Sequence, residues 1–295
     1  MRSWIPWRKQ KGDGTLTAQG DAEVKTAANS NEERIAADHV QGKALSQCQY
    51  MIPTLLAALK ADPKLKVLDV GCGSGAIAIE LAQLAPEGQV TGIDISGAVL
   101  ESAKVQAESR GIYNVDFVKG DACKLPFEDA TFDVVCTHQA VAHFLDHVRA
   151  IKEMKRVTRK GGIICMREGD LSTARFGPGY PLLEECVKVI MEVHRMGGGT
   201  PDAGRRLKAW TLKAGVPKSS IVETHSAWTY DALEGRREYG GHWPARCTQG
   251  VFAEMARDVG VTSDRLEQYA LAWSRWIQDP NASFTMMHGQ IVAKV

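Results

Sequence analysis

Lys66-Val-Leu-Asp-Val-Gly-Cys-Gly-Ser-Gly-Ala76 runs from a short apolar strand through three alternating glycines into a helical stretch over 76–84. A glycine-rich turn between strand and helix lets the backbone bend sharply and lets a ligand approach without meeting a Cβ. The following helix points its unpaired N–H groups and the positive end of its dipole at that ligand. Downstream, strands are expected over 89–93, 115–118, 132–136 and 163–166, and a helix over 99–110. A second helix, over 147–157, carries Val148, Ile151, Met154 and Val157 on one face and ends at Gly161-Gly162. Strands alternating with helices predict a parallel sheet covered on both faces.

Past Glu168 the alternation breaks. Helices are expected over 181–195, 201–214, 250–258 and 263–277, strand character over 221–228 and an irregular stretch over 237–243. The β-rich end, 284–295, suits a closing antiparallel strand. Before the core, residues 1–30 show no apolar period and read as a flexible arm, and 31–60 has a helical pattern interrupted near Gly42 and Pro53. The expected organisation is an arm over 1–30 and one domain over 31–295. Within that domain the cofactor core covers 63–168, acceptor-side elements 169–282 and the closing strand 283–295.

Apolar residues make up 44% of the 295 and charged residues 24%, the balance of a globular chain. A formal net charge of +1 supplies no field to hold nucleic acid or acidic lipid, so a small-molecule partner is expected. No stretch reaches the roughly 20 apolar residues of a membrane span. The seven cysteines form no C-x-x-C pair and fit reduced thiols in the cytoplasm. No carboxylates cluster at metal-ligand spacing, so no metal is expected.

The glycines alone do not choose a ligand, because Gly71-Cys-Gly73-Ser-Gly75-Ala76 also satisfies the dinucleotide pattern G-x-G-x-x-A. Asp94 ends the second strand 19 positions after Gly75, where a carboxylate accepts both hydroxyls of an adenosine ribose. Either S-adenosylmethionine (SAM) or NAD meets that condition. Asp69 favours SAM, since a negative charge there repels a pyrophosphate and complements an ammonium and a sulfonium. Asp121, in Gly120-Asp-Ala122 after the third strand, can accept from an adenine amino group. Cys72 reads as a small filler of the turn, with no activating partner nearby in sequence.

Five pieces in order now carry a resemblance: 67–75, Val90-Thr-Gly-Ile-Asp-Ile-Ser96, Gly120-Asp-Ala122, Phe132-Asp-Val-Val-Cys-Thr-His138 and Glu153-Met-Lys-Arg-Val-Thr-Arg-Lys-Gly-Gly162. Over about 40–295 the chain resembles class I SAM-dependent methyltransferases of the ubiquinone and menaquinone type, especially a fungal small-molecule branch. That branch is also resembled by Gly198-Gly-Thr-Pro-Asp-Ala-Gly-Arg-Arg206, which reads as a loop, an N-cap at Thr200 and Pro201 opening a helix. The resemblance implies a Rossmann-like α/β fold: a seven-stranded, mostly parallel sheet with helices on both faces, N-terminal helices and a C-terminal helical insertion. It implies that Asp69, Gly71 and Gly73, with Gly75 completing the turn, hold the methionyl part of SAM. Asp94 and Ile95 take the ribose and adenine, and Asp121 with Ala122 the adenine edge. His138 and Gln139 close over the cofactor.

The expected reaction is in-line transfer of a methyl group to a small molecule, by O- or C-methylation of a secondary metabolite or a quinone- or polyketide-like compound. His143 and Glu168, after the fourth and fifth strands, sit where ligands bind in open α/β sheets and are the candidates to remove a proton. Glu168 has Arg167 as an alternative partner. Tryptophans at 210, 228, 243, 273 and 276 suggest an aromatic acceptor pocket, although Trp273 and Trp276 have the spacing of helix packing. Trp243 reads as a loop residue of that pocket, joined by Arg246 and His288. The alternatives are a SAM-binding fold repurposed without methyl transfer, and an NAD(P)-dependent oxidoreductase, for which the Tyr-x-x-x-Lys pair is missing.

Overall fold

Strand β1 (Lys66–Val70) lies inside the sheet, where Val67, Leu68 and Val70 are fully buried, as a largely apolar strand requires. The computed structural model describes residues 47–295. The expected arm over 1–30 and the helical pattern over 31–46 lie outside the described residues. The first described helix, α1 (Ile52–Ala61), carries Pro53 in its first turn, where a missing N–H costs nothing. A helical stretch ends at Cys48 and a turn over 49–51 follows, so the pattern is interrupted just ahead of Pro53 as expected, and Pro53 opens the next helix.

Helix α2 (Ala76–Leu84) follows the glycine turn, β2 (Gln89–Asp94) returns alongside β1, and α3 (Gly97–Ser109) leads to β3 (Val115–Lys119). β4 (Phe132–His138), α4 (His147–Val157) and β5 (Thr158–Gly177) complete the parallel half. α4 is capped by Asp146, whose carboxylate accepts from the Arg149 N–H at 2.9 Å, and it buries Ile151, Met154 and Val157. It stops at Val157, before the two glycines. β5 begins at Thr158, well ahead of the expected 163, because Phe132 of β4 already pairs there. β5 runs on to Gly177 because β7 (Ser283–Lys294) gives it an antiparallel partner along that length, with a bulge between Asp170 and Arg175.

β6 (Ile221–Tyr230) pairs antiparallel with the outer side of β7, giving seven strands in the order β3-β2-β1-β4-β5-β7-β6. The order reverses between β1 and β4, which opens a crevice beyond their carboxyl ends. Gly71 to Gly75 stand on one lip of it, and Gln139 to His143 on the other.

The C-terminal elements are α5 (Pro181–Met196), α6 (Leu207–Lys213), α7 (Leu233–Gly240), α8 (Trp243–Thr248), α9 (Gly250–Asp258) and α10 (Ser263–Gln278). Two expectations fail here. The stretch 237–243 is helical through α7, with α8 starting at Trp243. The helix expected from 201 begins as a 3-10 turn at Ala203, and the Thr200 side chain does not cap it: its hydroxyl meets His147 Nε2 at 3.2 Å and its N–H donates to the Ala142 carbonyl at 2.8 Å, while only its carbonyl accepts from Ala203 N–H, at 3.2 Å. Both reflect tertiary contacts winning over local signals.

Three apolar clusters hold the layers together, one on each face of the parallel strands and one under the insertion. The last is built on Trp273 and Trp276, both fully buried on α10, against Phe176 of β5 and Phe284 of β7. Among the described residues no helix is long and apolar enough to cross a membrane. All seven cysteines are free.

Candidate active site

The glycine turn is held from β2. Gly71 and Cys72 both donate their N–H to the Ile93 carbonyl, at 2.7 and 3.1 Å, and Gly73 donates to Asp94 Oδ2 at 3.0 Å. Asp94 Oδ1 accepts from Ser96 N–H at 2.9 Å, so the carboxylate ties the turn to the start of α3 while keeping lone pairs for a ligand. Gly71, Gly73 and Gly75 all have positive φ, between +53° and +78°, which side-chain-bearing residues rarely adopt. Among the described residues nothing lies within 4 Å of where a Cβ would stand on Gly73, so that glycine faces space a ligand can use. Cys72 fills the gap over Gly92 and its thiol is pushed up by burial, the behaviour of a filler.

Asp69 lies beneath the turn, only 2% exposed. The Cys136 thiol donates to its Oδ1 at 3.7 Å, while Oδ2 is buried with no hydrogen-bond partner among the described residues. Burial lifts this carboxyl to about 7. Donor atoms of Asp69, Cys136 and His138 come within 4.8 Å of one another. Sequence spacing concealed this trio because strand pairing alone brings Asp69 beside Cys136. His138 points the same way, its Nε2 3.2 Å from the Tyr50 hydroxyl, and burial lowers it to about 3. At the far side of the turn Ile95 is 45% exposed, and Asp121 stands at the surface accepting from Cys123 N–H.

Across the crevice, the loop after β4 connects two sites. A Cβ on Gly71 would come within 2.4 Å of the Ala140 Cβ, so this loop packs directly on the glycine turn. Its other side, through Gln139, Ala142 and His143, lines a cleft of about 700 Å³, open mouth included. Gln139 has φ +54°, a strained conformation for this residue, and its amide lies 3.5 Å from His288 Nε2. Glu168 and Gly169 of β5 form the adjoining wall, and Trp228, Tyr239, Trp243 and Arg246 come from the insertion side.

His143 Nδ1 lies 3.2 Å from His194 Nε2 of α5, with the rings edge to face. Burial lowers His143 to about 4 and His194 to about 3, so both are neutral at pH 7. A Cβ on Gly199 would strike the His194 ring at 2.4 Å, which explains a glycine there. Glu168 does not pair with Arg167. Its Oε2 accepts from Ala142 N–H and its Oε1 from Gly169 N–H, both at 3.0 Å, and burial lifts it to about 7. Arg167 lies instead over the Trp228 ring.

The methyltransferase-domain family matches residues 61–210. An uncharacterized methyltransferase of Schizosaccharomyces pombe is 33% identical over 279 residues, covering 90% of this chain and 95% of that one. The chain belongs to the SAM-dependent methyltransferases. A demethylmenaquinone methyltransferase of Geobacillus stearothermophilus is 40% identical over 103 residues, 34% of this methyltransferase and 44% of the relative. In fold it is similar to a geranyl diphosphate methyltransferase solved with SAM, at a TM-score of 0.50 and 17% identity over 86% of this chain and 84% of that one.

The residues of the turn fit that cofactor. Among the described residues, the space at Gly73, a carboxylate at Asp94 with spare lone pairs, an exposed apolar Ile95 and an unpartnered oxygen on Asp69 match a cationic adenosyl ligand. The structure brings Asp69, the glycines, Asp94 and Ile95 together on one lip. It gathers His143, Glu168, Trp243, Arg246 and His288 around the cleft. Trp243 is there as the first residue of α8, 7% exposed, and not as a loop residue. Trp210 stacks on His147 at 4.0 Å, and Trp273 and Trp276 are core. His194 and Tyr239 were not anticipated, because each sits in a helix with nothing in its local sequence to distinguish it from a packing residue.

Proposed function

We propose that this methyltransferase methylates a small aromatic molecule, on a hydroxyl or an acidic carbon, with His143 accepting the proton. SAM, when bound, supplies a methyl carbon made electrophilic by its sulfonium. The observation that carries the reading is the 139–144 loop, packed on the glycine turn at Ala140 and lining the aromatic cleft at Gln139, Ala142 and His143. Donor and acceptor then meet across one short segment, as in-line displacement requires.

On this reading Asp94 and Ile95 take the ribose and adenine, Asp121 and Ala122 the adenine edge, and Gly71, Gly73 and Gly75 the methionyl part. Gln139 closes the cofactor side. His138 supports that lip from beneath and not from above, since it is buried against Tyr50. Neutral His143 takes a proton at Nε2 while its Nδ1–H donates to His194, which fixes the ring. Glu168 is a positioning residue here, because both its oxygens hold backbone N–H groups of the two cleft walls. Quinone- or polyketide-like acceptors of secondary metabolism suit the aromatic walls, and the free cysteines suit the cytoplasm.

Tritiated-methyl SAM offered with a panel of phenols, acids, amines and thiols tests the proposal. Transfer to hydroxylated aromatics is expected. Transfer confined to thiols or amines overturns the acceptor reading, and SAM binding with no transfer to any class favours a repurposed fold.

Asp69 gives a second expectation. In the free protein its carboxyl titrates near pH 7, and a cation above the turn favours the ionised form. Below pH 7, SAM must expel a proton to bind, so its Kd is expected to rise by up to about tenfold per pH unit, and to level off above pH 7. Calorimetry in buffers of different ionisation enthalpy will read proton release on binding. Asp69→Asn should flatten the dependence, and a flat wild-type profile removes Asp69 from this role.

A further inference from the structure

Among the described residues, Arg246 is the one Lys or Arg side chain lining the aromatic cleft. Several other arginines of the described chain have carboxylate or carbonyl partners, whereas Arg167, buried behind the Trp228 ring with Nη1 unpartnered, does not line the cleft. Arg156 pairs with Glu153 and Asp129, Arg205 with Asp170, and Arg265 with Glu185, while Arg236 donates to backbone carbonyls. Arg246 is half-buried, and among the described residues its guanidinium has neither a carboxylate nor a carbonyl partner. Its contact is the face of Trp243, 5.5 Å from the ring centroid. That indole is itself fixed, stacked on Trp273 at 5.6 Å and met edge-on by Phe252.

A guanidinium lying on an indole keeps its N–H edge available, and that edge matches the two oxygens of a carboxylate. Leaving such a charge half-buried and unanswered is costly unless a ligand completes it. The other basic groups lining the cleft, His143, His194, His242 and His288, are each held neutral by burial. The single acid among the described lining residues, Glu168, is committed to the backbone N–H groups of Ala142, after β4, and Gly169, on β5. The described lining therefore presents one fixed positive charge, on the insertion side of a cleft that also holds His143 and Glu168.

We infer that the acceptor is an aromatic hydroxy acid, or a ring with an equivalent acidic group, whose carboxylate pairs with Arg246 while its hydroxyl faces His143. This rests on the acceptor-site reading proposed above and narrows it to an anionic class. In the reaction the hydroxyl oxygen forms a bond to the methyl carbon, the carbon–sulfur bond breaks with its electron pair going to sulfur, and the hydroxyl proton passes to His143. The carboxylate is unchanged and anchors the ring.

The test compares 3-hydroxy-2-naphthoate with its methyl ester, which keeps the ring and hydroxyl and removes the charge. Binding is measured by calorimetry with S-adenosylhomocysteine present, and by turnover with SAM. The acid is expected to bind roughly tenfold or more tighter than the ester, as a charge-assisted bidentate pair does. In Arg246→Gln the acid should fall to the level of the ester, and Arg246→Lys should recover part of the preference. Equal binding of acid and ester by the unaltered enzyme overturns the inference without any variant, and so does a preference that survives in Arg246→Gln. Binding of neither probe also overturns it. If neutral phenols of the acceptor panel are still methylated in any of these cases, the acceptor-site reading stands and only its anionic refinement falls.

Discussion

Asp94→Ala is expected to weaken SAM binding by about a hundredfold or more, as measured by calorimetry. Two losses combine. The ribose hydroxyls lose a charged acceptor, and the N–H groups of Gly73 and Ser96 lose the oxygens that hold the turn in shape, at 3.0 and 2.9 Å. Asp94→Asn is expected to be nearly as damaging, because its amide NH2 must face one of those two N–H donors. The fold should survive both changes, since Asp94 ends its strand and the sheet core beneath it is apolar. An unchanged thermal transition beside the lost affinity would place the effect in the site. Undiminished affinity in Asp94→Ala would remove Asp94 from the ribose.

His143→Ala is expected to lower kcat by roughly a hundred- to a thousandfold, the range for a lost general base, with the KM for SAM little changed. The pH profile then separates the two candidates for the base. A base works deprotonated, so activity falls as pH drops through its pKa. For His143, near 4, kcat at saturating SAM with a hydroxyl acceptor should hold down to about pH 5. For Glu168, near 7, kcat at saturating SAM should decline tenfold per unit below pH 7. The groups facing His143 across the cleft are His194, Glu168, His242, Arg246 and His288, of which Glu168 titrates closest to neutrality. Replacing Glu168 by Gln tests its positioning role, since the amide oxygen can retain one backbone N–H while the other loses its acceptor. Full activity in His143→Ala would mean that the acceptor loses its proton to water and that His143 only shapes the cleft.

Much of the parallel half was legible because its signals are local. The apolar run 66–70, the glycines at 71, 73 and 75 and the acid at 94 lie within one strand-turn-helix-strand unit, where spacing along the chain maps onto spacing in space. Boundaries failed where a partner far away in sequence extended or redirected an element. β5 gained length from β7, and Thr200 gave up its cap to bond His147 and Ala142. The histidine pair 143 and 194 was hidden for the same reason. One member follows a strand and the other ends a helix whose remaining face is apolar, and no periodicity links them.

For this methyltransferase, then, strand and turn chemistry written in adjacent residues was enough to name the cofactor class, because a glycine turn and two flanking carboxylates act within a few residues of each other. The acceptor side depended on the folded molecule. Its cleft is assembled from the loop after β4 and from β5, β6, β7, α5, α7 and α8, and its polarity follows from which lining side chains burial neutralises and which lining arginine it leaves without a counter-charge. Burial and pairing of that kind are properties of the packed chain, and they have no counterpart in the order of its residues.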